Sequence, residues 1–191
     1  MGKPPTASRE SLRDVRVDEL RDACAIIGTD YRYLGLRDKC VEFEDPRAVA
    51  ATIVGYIESL RPSTVITFVP GHGVHPDHDA IGQFTVLAVR GMAPAARPRL
   101  LGVAVDGSAI DAPKVVSDIT TTARRKIDAL RAHVSQTQSM FEDWEKTWDP
   151  DTMTQRPGAP EPDAQTMAWR ERLTKSETYY LIDPDARTLL D

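Results

Sequence analysis

The 191 residues carry 24 basic and 29 acidic side chains, a formal net charge of −5. That acid excess argues against nucleic acid as a main partner, because a duplex binder needs a basic footprint. A hydrophobic fraction of 41% and a charged fraction of 28% are ordinary for a soluble globular chain, and the length suits a single domain over residues 1–191 with a real core.

No apolar run approaches the roughly 18 residues of a membrane span, so no membrane partner is expected. Met1-Gly-Lys-Pro-Pro5 has no apolar stretch behind its charge and does not read as a signal peptide. Two cysteines, Cys24 and Cys40, form no disulfide framework and suit a reducing cytoplasm.

In chain order, Leu12, Val15, Leu20, Ala23 and Ile27 fall near helical spacing, which predicts a helix over residues 9–27 with Gly28 as its C-terminal cap. Tyr31 to Leu36 reads as a short strand. Asp45-Pro46 supplies an N-cap and a first-turn proline. The helix that follows presents Val49, Ile53, Tyr56, Ile57 and Leu60, and Arg61-Pro62 stops it. Thr64 to Phe68 is a strand. A third helix runs from Pro76 to about Val89, burying Ile81 and Phe84, and Arg99 to Val105 is another strand. A long helix from Thr122 to about Trp148 places Ile127, Leu130, Val134 and Phe141 on one face. Asp149 to Asp163 holds four of the chain's fourteen prolines and reads as an exposed loop. A short helix near 164–173 and a strand near 178–182 close the chain. Strands alternating with helices predict an α/β, Rossmann-like three-layer fold with a mostly parallel sheet. No Gly-x-Gly-x-x-Gly fingerprint points to a dinucleotide.

Three of the four histidines lie within seven residues, in Gly71-His72-Gly73-Val74-His75-Pro76-Asp77-His78-Asp79, directly after an apolar strand. Chemistry in an open α/β sheet gathers at such a strand end, and imidazole is both the commonest metal ligand and the side chain that titrates nearest neutral pH. With Pro76 in the first helical turn, His75 sits at the N-cap and His78 one turn in, so both rings reach one pocket. Asp77 is placed to orient His75. The run superficially resembles the His-x-His-x-Asp-His signature of metallo-β-lactamase-type hydrolases. The spacing differs by one residue, only His133 remains downstream, and that αββα sandwich disagrees with the alternation here.

Pro76-Asp77-His78 after a strand, with Arg16-x-x-Glu19 in a preceding helix, resembles the LmbE/PIG-L family of zinc-dependent N-acetylglucosaminyl deacetylases, and most of all its bacillithiol-biosynthesis branch. The resemblance rests on Met1 to Pro4, Glu19 to Cys24, Gly35 to Lys39, Glu42 to Pro46 and the highly specific run Pro70 to Ala80. Arg131-Ala-His-Val-Ser-Gln136 and, more loosely, Glu177 to Tyr180 support it.

The resemblance implies a metal-dependent N-deacetylase that hydrolyses the acetamide of an N-acetylglucosaminyl conjugate such as N-acetylglucosaminyl-malate. Its cofactor would be Zn2+ or another divalent metal, its partner a small amino-sugar substrate, and a homo-oligomer is compatible with it. By the same resemblance His78 is a metal ligand. His75 is catalytic, stabilising the oxyanion, and Asp77 is catalytic by holding His75. Arg16 and Asp38 bind substrate. His133 is read as structural, and His72 is given no role.

Family members open with a strand ending in His-Pro-Asp-Asp-Glu, which supplies two further zinc ligands and the general base, and this sequence contains no such motif. The expectation is therefore a family fold lacking its first strand–helix–strand portion, inactive as written. The alternative is a non-catalytic sugar- or partner-binding remnant of that fold.

Overall fold

The computed structural model describes residues 9–105 and 110–186. They divide into two units, one built from residues up to 33 together with 117–177, the other from 34–116 together with 178 onward.

In the first unit, helix α1 (Arg9–Ile27) ends where Gly28 turns left-handed, at φ +78°. The backbone N–H groups of Gly28 and Thr29 both donate to the Cys24 carbonyl, at 2.9 and 3.0 Å, and close the helix end. Helix α1 packs on α4 (Ala123–Ala132), which also meets α5 (Val134–Trp144) and α6 (Ala164–Thr174). Ile127, Phe141 and Trp148 are buried at the centre, with Leu130, Met140, Trp144 and Met153 against them.

The long helix expected over 122–148 is two helices, broken at His133, where ψ is +54°. A competing acceptor explains the break. The buried carboxylate of Glu19, on α1, takes the Ser135 backbone N–H at 2.6 Å and the Ser135 hydroxyl at 2.8 Å. In a continuous helix that N–H would bond the carbonyl four residues back. Between α5 and α6, β4 (Trp148–Asp149) and β5 (Thr154–Gln155) pair antiparallel, and residues 156–163 carry neither helix nor strand.

In the second unit, Asp45 caps α2 (Pro46–Leu60) by accepting the Arg47 N–H at 2.9 Å. Strand β1 (Thr64–Phe68) leads to α3 (Pro76–Gly91) and then to β2 (Arg99–Val103). Two further strands, β3 (Lys114–Asp118) and β6 (Ser176–Leu181), complete a sheet of order β1-β2-β6-β3.

Strands β1 and β2 run parallel, in register from Thr64 opposite Arg99 to Phe68 opposite Val103. Strand β6 runs antiparallel to β2, with Leu101 opposite Leu181 and Gly102 opposite Tyr180. The α/β class holds, but the sheet is mixed rather than mostly parallel. A short βαβ crossover fixes the sense of β1 and β2, whereas a strand returning from the excursion through α4 to α6 is free to pair either way.

The strand expected at Tyr31–Leu36 does not form. Gly35 takes φ +73°, outside the extended region, and Tyr31, Tyr33 and Leu34 are exposed. The core of this unit is Ile57, Val69, Val86, Val89, Leu100, Tyr180 and Ile182, with a second cluster of Val41, Val49, Ala80 and Phe84 beneath α3. Helix α3 comes so close to the end of β1 that a Cβ on Gly82 would lie 2.6 Å from the Phe68 carbonyl oxygen. That approach sets the start of α3, and the loop before it, directly against the strand end.

Candidate active site

The turn between β1 and α3 is tied down at both ends by backbone bonds. Val69 N–H donates to Val103 O at 3.0 Å, and Val105 N–H donates to His72 O at 2.8 Å. Pro76 occupies the first position of α3, where its missing N–H costs nothing. His75 is the N-cap, and its Nδ1 accepts the backbone N–H of Asp77 at 3.1 Å. His78, one turn in, holds its Nδ1 2.9 Å from the Gly73 carbonyl oxygen. Its ring stacks on Phe68, with centroids 4.2 Å apart and planes 5° from parallel.

These partners put the two imidazoles in opposite tautomers. A carbonyl only accepts, so His78 carries its proton on Nδ1 and, when neutral, leaves a lone pair on Nε2. A backbone N–H only donates, so Nδ1 of His75 is bare and its proton sits on Nε2. The ring centroids are 5.5 Å apart. One imidazole therefore offers an N–H donor and its neighbour an acceptor or ligand nitrogen, at the C-terminal end of β1.

The half-buried carboxylate of Asp77 comes no nearer to His75 than 4.0 Å from Nδ1. Its hydrogen bonds go elsewhere, from Lys39 N–H at 2.6 Å to Oδ2 and from Val41 N–H at 3.1 Å to Oδ1. Those bonds fasten the turn that contains Asp38 to the start of α3. Asp38 itself is exposed. Arg16 is exposed on α1, in the other unit. The structure thus brings together His75, Asp77 and His78, with Asp38 one residue from the anchored Lys39. Glu19 and Ser135, both from segments that carry the family resemblance, join each other in the first unit's interior.

Two residues at the site carried no expectation. Gly73 is buried, and a Cβ on it would lie 2.6 Å from the His78 Cβ and 2.9 Å from Asp79 Oδ1. Asp79 Oδ1 accepts the Gly73 N–H at 2.8 Å. The sequence signal for both was a glycine two residues before the N-cap and an acid in the first helical turn, which elsewhere mark only a tight turn and a favourable helix dipole.

A family model described as "PIG-L: GlcNAc-PI de-N-acetylase" matches residues 1–89. Over 147 residues the chain is 44% identical to a Bacillus cereus protein named "Probable N-acetyl-alpha-D-glucosaminyl L-malate deacetylase 2", a match covering 75% of this chain and 67% of the relative. The chain belongs to the PIG-L family. A Bacillus subtilis relative of the same name is 41% identical over 150 residues, covering 76% of this chain and 68% of the relative. The chain therefore spans about two thirds of the length of these PIG-L relatives.

Among solved structures, a conserved protein from Thermus thermophilus superposes with a TM-score of 0.59 at 22% identity, covering 91% of this chain and 75% of that one. The antimicrobial reagent A40926 pseudoaglycone deacetylase Dbv21 gives 0.56 at 20%, covering 97% and 75%. Both show the same fold as this chain.

The PIG-L family is metal-dependent, and the donor set can be tested against that. His78 Nε2 fits, because a ligating histidine almost always donates its other ring N–H to a carbonyl or carboxylate. The set as a whole does not fit. A catalytic zinc centre takes three protein ligands plus water, and among the described residues no group of three His, Cys, Asp or Glu is placed to hold a metal ion.

Proposed function

We propose that this chain carries part of the active site of an N-deacetylase that hydrolyses the acetamide of an N-acetylglucosaminyl conjugate, with N-acetylglucosaminyl-malate in bacillithiol biosynthesis as the substrate. Supporting it is the pair of opposite histidine tautomers at the β1–α3 turn, in a chain 44% identical to a protein bearing that name. Hydrolysis adds water across the amide C–N bond and releases acetate and a free amine. As water attacks, charge gathers on the acetyl oxygen. An N–H held in place before the reaction, such as Nε2–H of His75, stabilises that oxyanion without reorganising.

By the resemblance alone His78 would offer one nitrogen to a metal such as zinc, a site that the described residues do not complete. Asp38 accepts a hydrogen bond from a sugar hydroxyl, on a turn that Asp77 holds in place. For Arg16 as a substrate contact the support is the resemblance alone. Two unpaired cysteines suit a reducing, cytoplasmic setting.

With one histidine donor and no assigned base among the described residues, this chain is proposed to bind the amino-sugar conjugate without hydrolysing it. The deciding experiment incubates this chain with N-acetylglucosaminyl-malate and Zn2+, follows primary amine release, and measures binding by calorimetry in parallel. Saturable binding without amine is expected. Zinc-dependent amine release would overturn the inactivity but keep the deacetylase reading. Neither binding nor release would sink both.

A further inference from the structure

We propose that Asp79 is a positioning residue for His78, acting through the backbone of Gly73 to hold the imidazole in the Nδ1–H tautomer with Nε2 bare. The inference rests on the deacetylase reading only for its use, because the geometry stands on its own.

Three observations carry it. Asp79 Oδ1 accepts the Gly73 N–H at 2.8 Å, and Gly73 O accepts the His78 Nδ1–H at 2.9 Å. A Cβ on Gly73 would lie 2.6 Å from the His78 Cβ and 2.9 Å from Asp79 Oδ1, so the Gly73 backbone lies flat against the first turn of α3. The residue after it, Val74, takes φ +65°, which turns the chain away immediately beyond the carbonyl that His78 uses.

The carboxylate pins one side of Gly73 and the left-handed residue fixes the other, so the carbonyl between them has one direction. A carbonyl with one direction selects one imidazole tautomer and one ring orientation, and the Phe68 stack then holds the ring plane. An acid at this position needs no contact with substrate to matter. It decides which nitrogen of His78 is available.

The test reads the tautomer directly, by long-range nitrogen–proton correlation NMR of the full chain at alkaline pH. The wild type is expected to show His78 protonated on Nδ1 and His75 protonated on Nε2. Asp79→Ala removes the acceptor and shifts His78 to a tautomer mixture, while His75, held by the Asp77 N–H, keeps its pattern and reports that the turn is still folded. Asp79→Asn retains an oxygen acceptor for Gly73 N–H and is expected to rescue the wild-type pattern.

A single Nδ1–H form of His78 in folded Asp79→Ala would overturn the proposal. So would an Asp79→Asn variant as mixed as the alanine, or a wild type with His78 protonated on Nε2. Should Asp79→Ala fail to fold, Asp79→Leu, close to aspartate in size but with no acceptor for the Gly73 N–H, is read by the same criterion. No substrate enters the measurement, so failure of the deacetylase reading leaves its outcome untouched.

Discussion

Asp77 accepts the backbone N–H of Lys39 at 2.6 Å across 38 residues of chain, and the same carboxylate takes the Val41 N–H at 3.1 Å. An acid read as the partner of His75 is thus the clasp between the 38–41 turn and the head of α3. Hydrogen bonds to a charged group contribute about 1.5–3 kcal/mol each. Asp77→Ala is therefore expected to lower stability by about 3–6 kcal/mol in urea denaturation and to speed exchange of the Lys39 and Val41 amides. Asp77→Asn, which keeps one acceptor oxygen, should lose roughly half as much. Unchanged Lys39 and Val41 exchange in the alanine variant would remove the clasp.

Gly73 lies where a methyl group has no room, 2.6 Å from the His78 Cβ and 2.9 Å from Asp79 Oδ1. Gly73→Ala must displace one or both, and overpacking of this kind costs about 1–3 kcal/mol. Its expected signature is a lowered melting temperature together with loss of the His78 ring-current shift from the Phe68 stack. A variant as stable as the parent, with that shift retained, would mean that the turn yields more easily than its hydrogen bonds suggest.

Much of this site was legible because it is local. Asp45-Pro46 and His75-Pro76 announce two helix starts, and the spacing of Val49, Ile53 and Ile57 announces a buried face. The turn between β1 and α3 then follows from chain order. What the sequence hides is non-local. Lys114–Asp118 is a strand with only two apolar residues, made so by its place in the sheet. The break at His133 depends on a carboxylate 116 residues from Ser135. The sense of β6 depends on where a long excursion returns. Asp77 shows the same division, since its nearness to His75 is written in the sequence and its bonds to Lys39 and Val41 are not.

Glu19 and Ser135 make a second long-range joint, with both carboxylate oxygens occupied at 2.6 and 2.8 Å and Glu19 buried. Removing the acid leaves a buried N–H and hydroxyl to find new partners. Glu19→Ala is expected to cost about 3 kcal/mol on the scale of charge-assisted bonds. Glu19→Gln still accepts from the N–H and can donate its amide to the serine oxygen, so it should cost under half as much. Equal losses in the two variants would show that the charge, rather than the bonding pattern, holds α5 in place.

Val74 is a β-branched residue at φ +65° with 69% of its surface exposed. The left-handed conformation costs such a residue about 1–2 kcal/mol, and little burial offsets it. Asparagine tolerates this region far better. Val74→Asn is expected to raise unfolding free energy by about 1 kcal/mol, read as a higher denaturation midpoint at unchanged slope. A lower midpoint would show that the valine side chain contributes packing that its exposure conceals.

Asp163 caps α6 by accepting the Thr166 backbone N–H at 2.7 Å, and that hydrogen bond holds its carboxyl below the ordinary carboxylate value. Because the folded pKa is depressed, the group contributes stability that is fully present above the unfolded value of about 3.9 and lost as pH falls through the folded one. Acidification below about pH 4 should therefore fray the first turn of α6, seen as falling protection of the Thr166 amide. Other acids titrate in the same range, so the difference between parent and Asp163→Asn isolates the effect. Asparagine keeps the capping oxygen without the charge, and its Thr166 protection should stay flat where the parent's declines. Parallel declines in the two would assign the acid sensitivity of α6 to groups other than its cap.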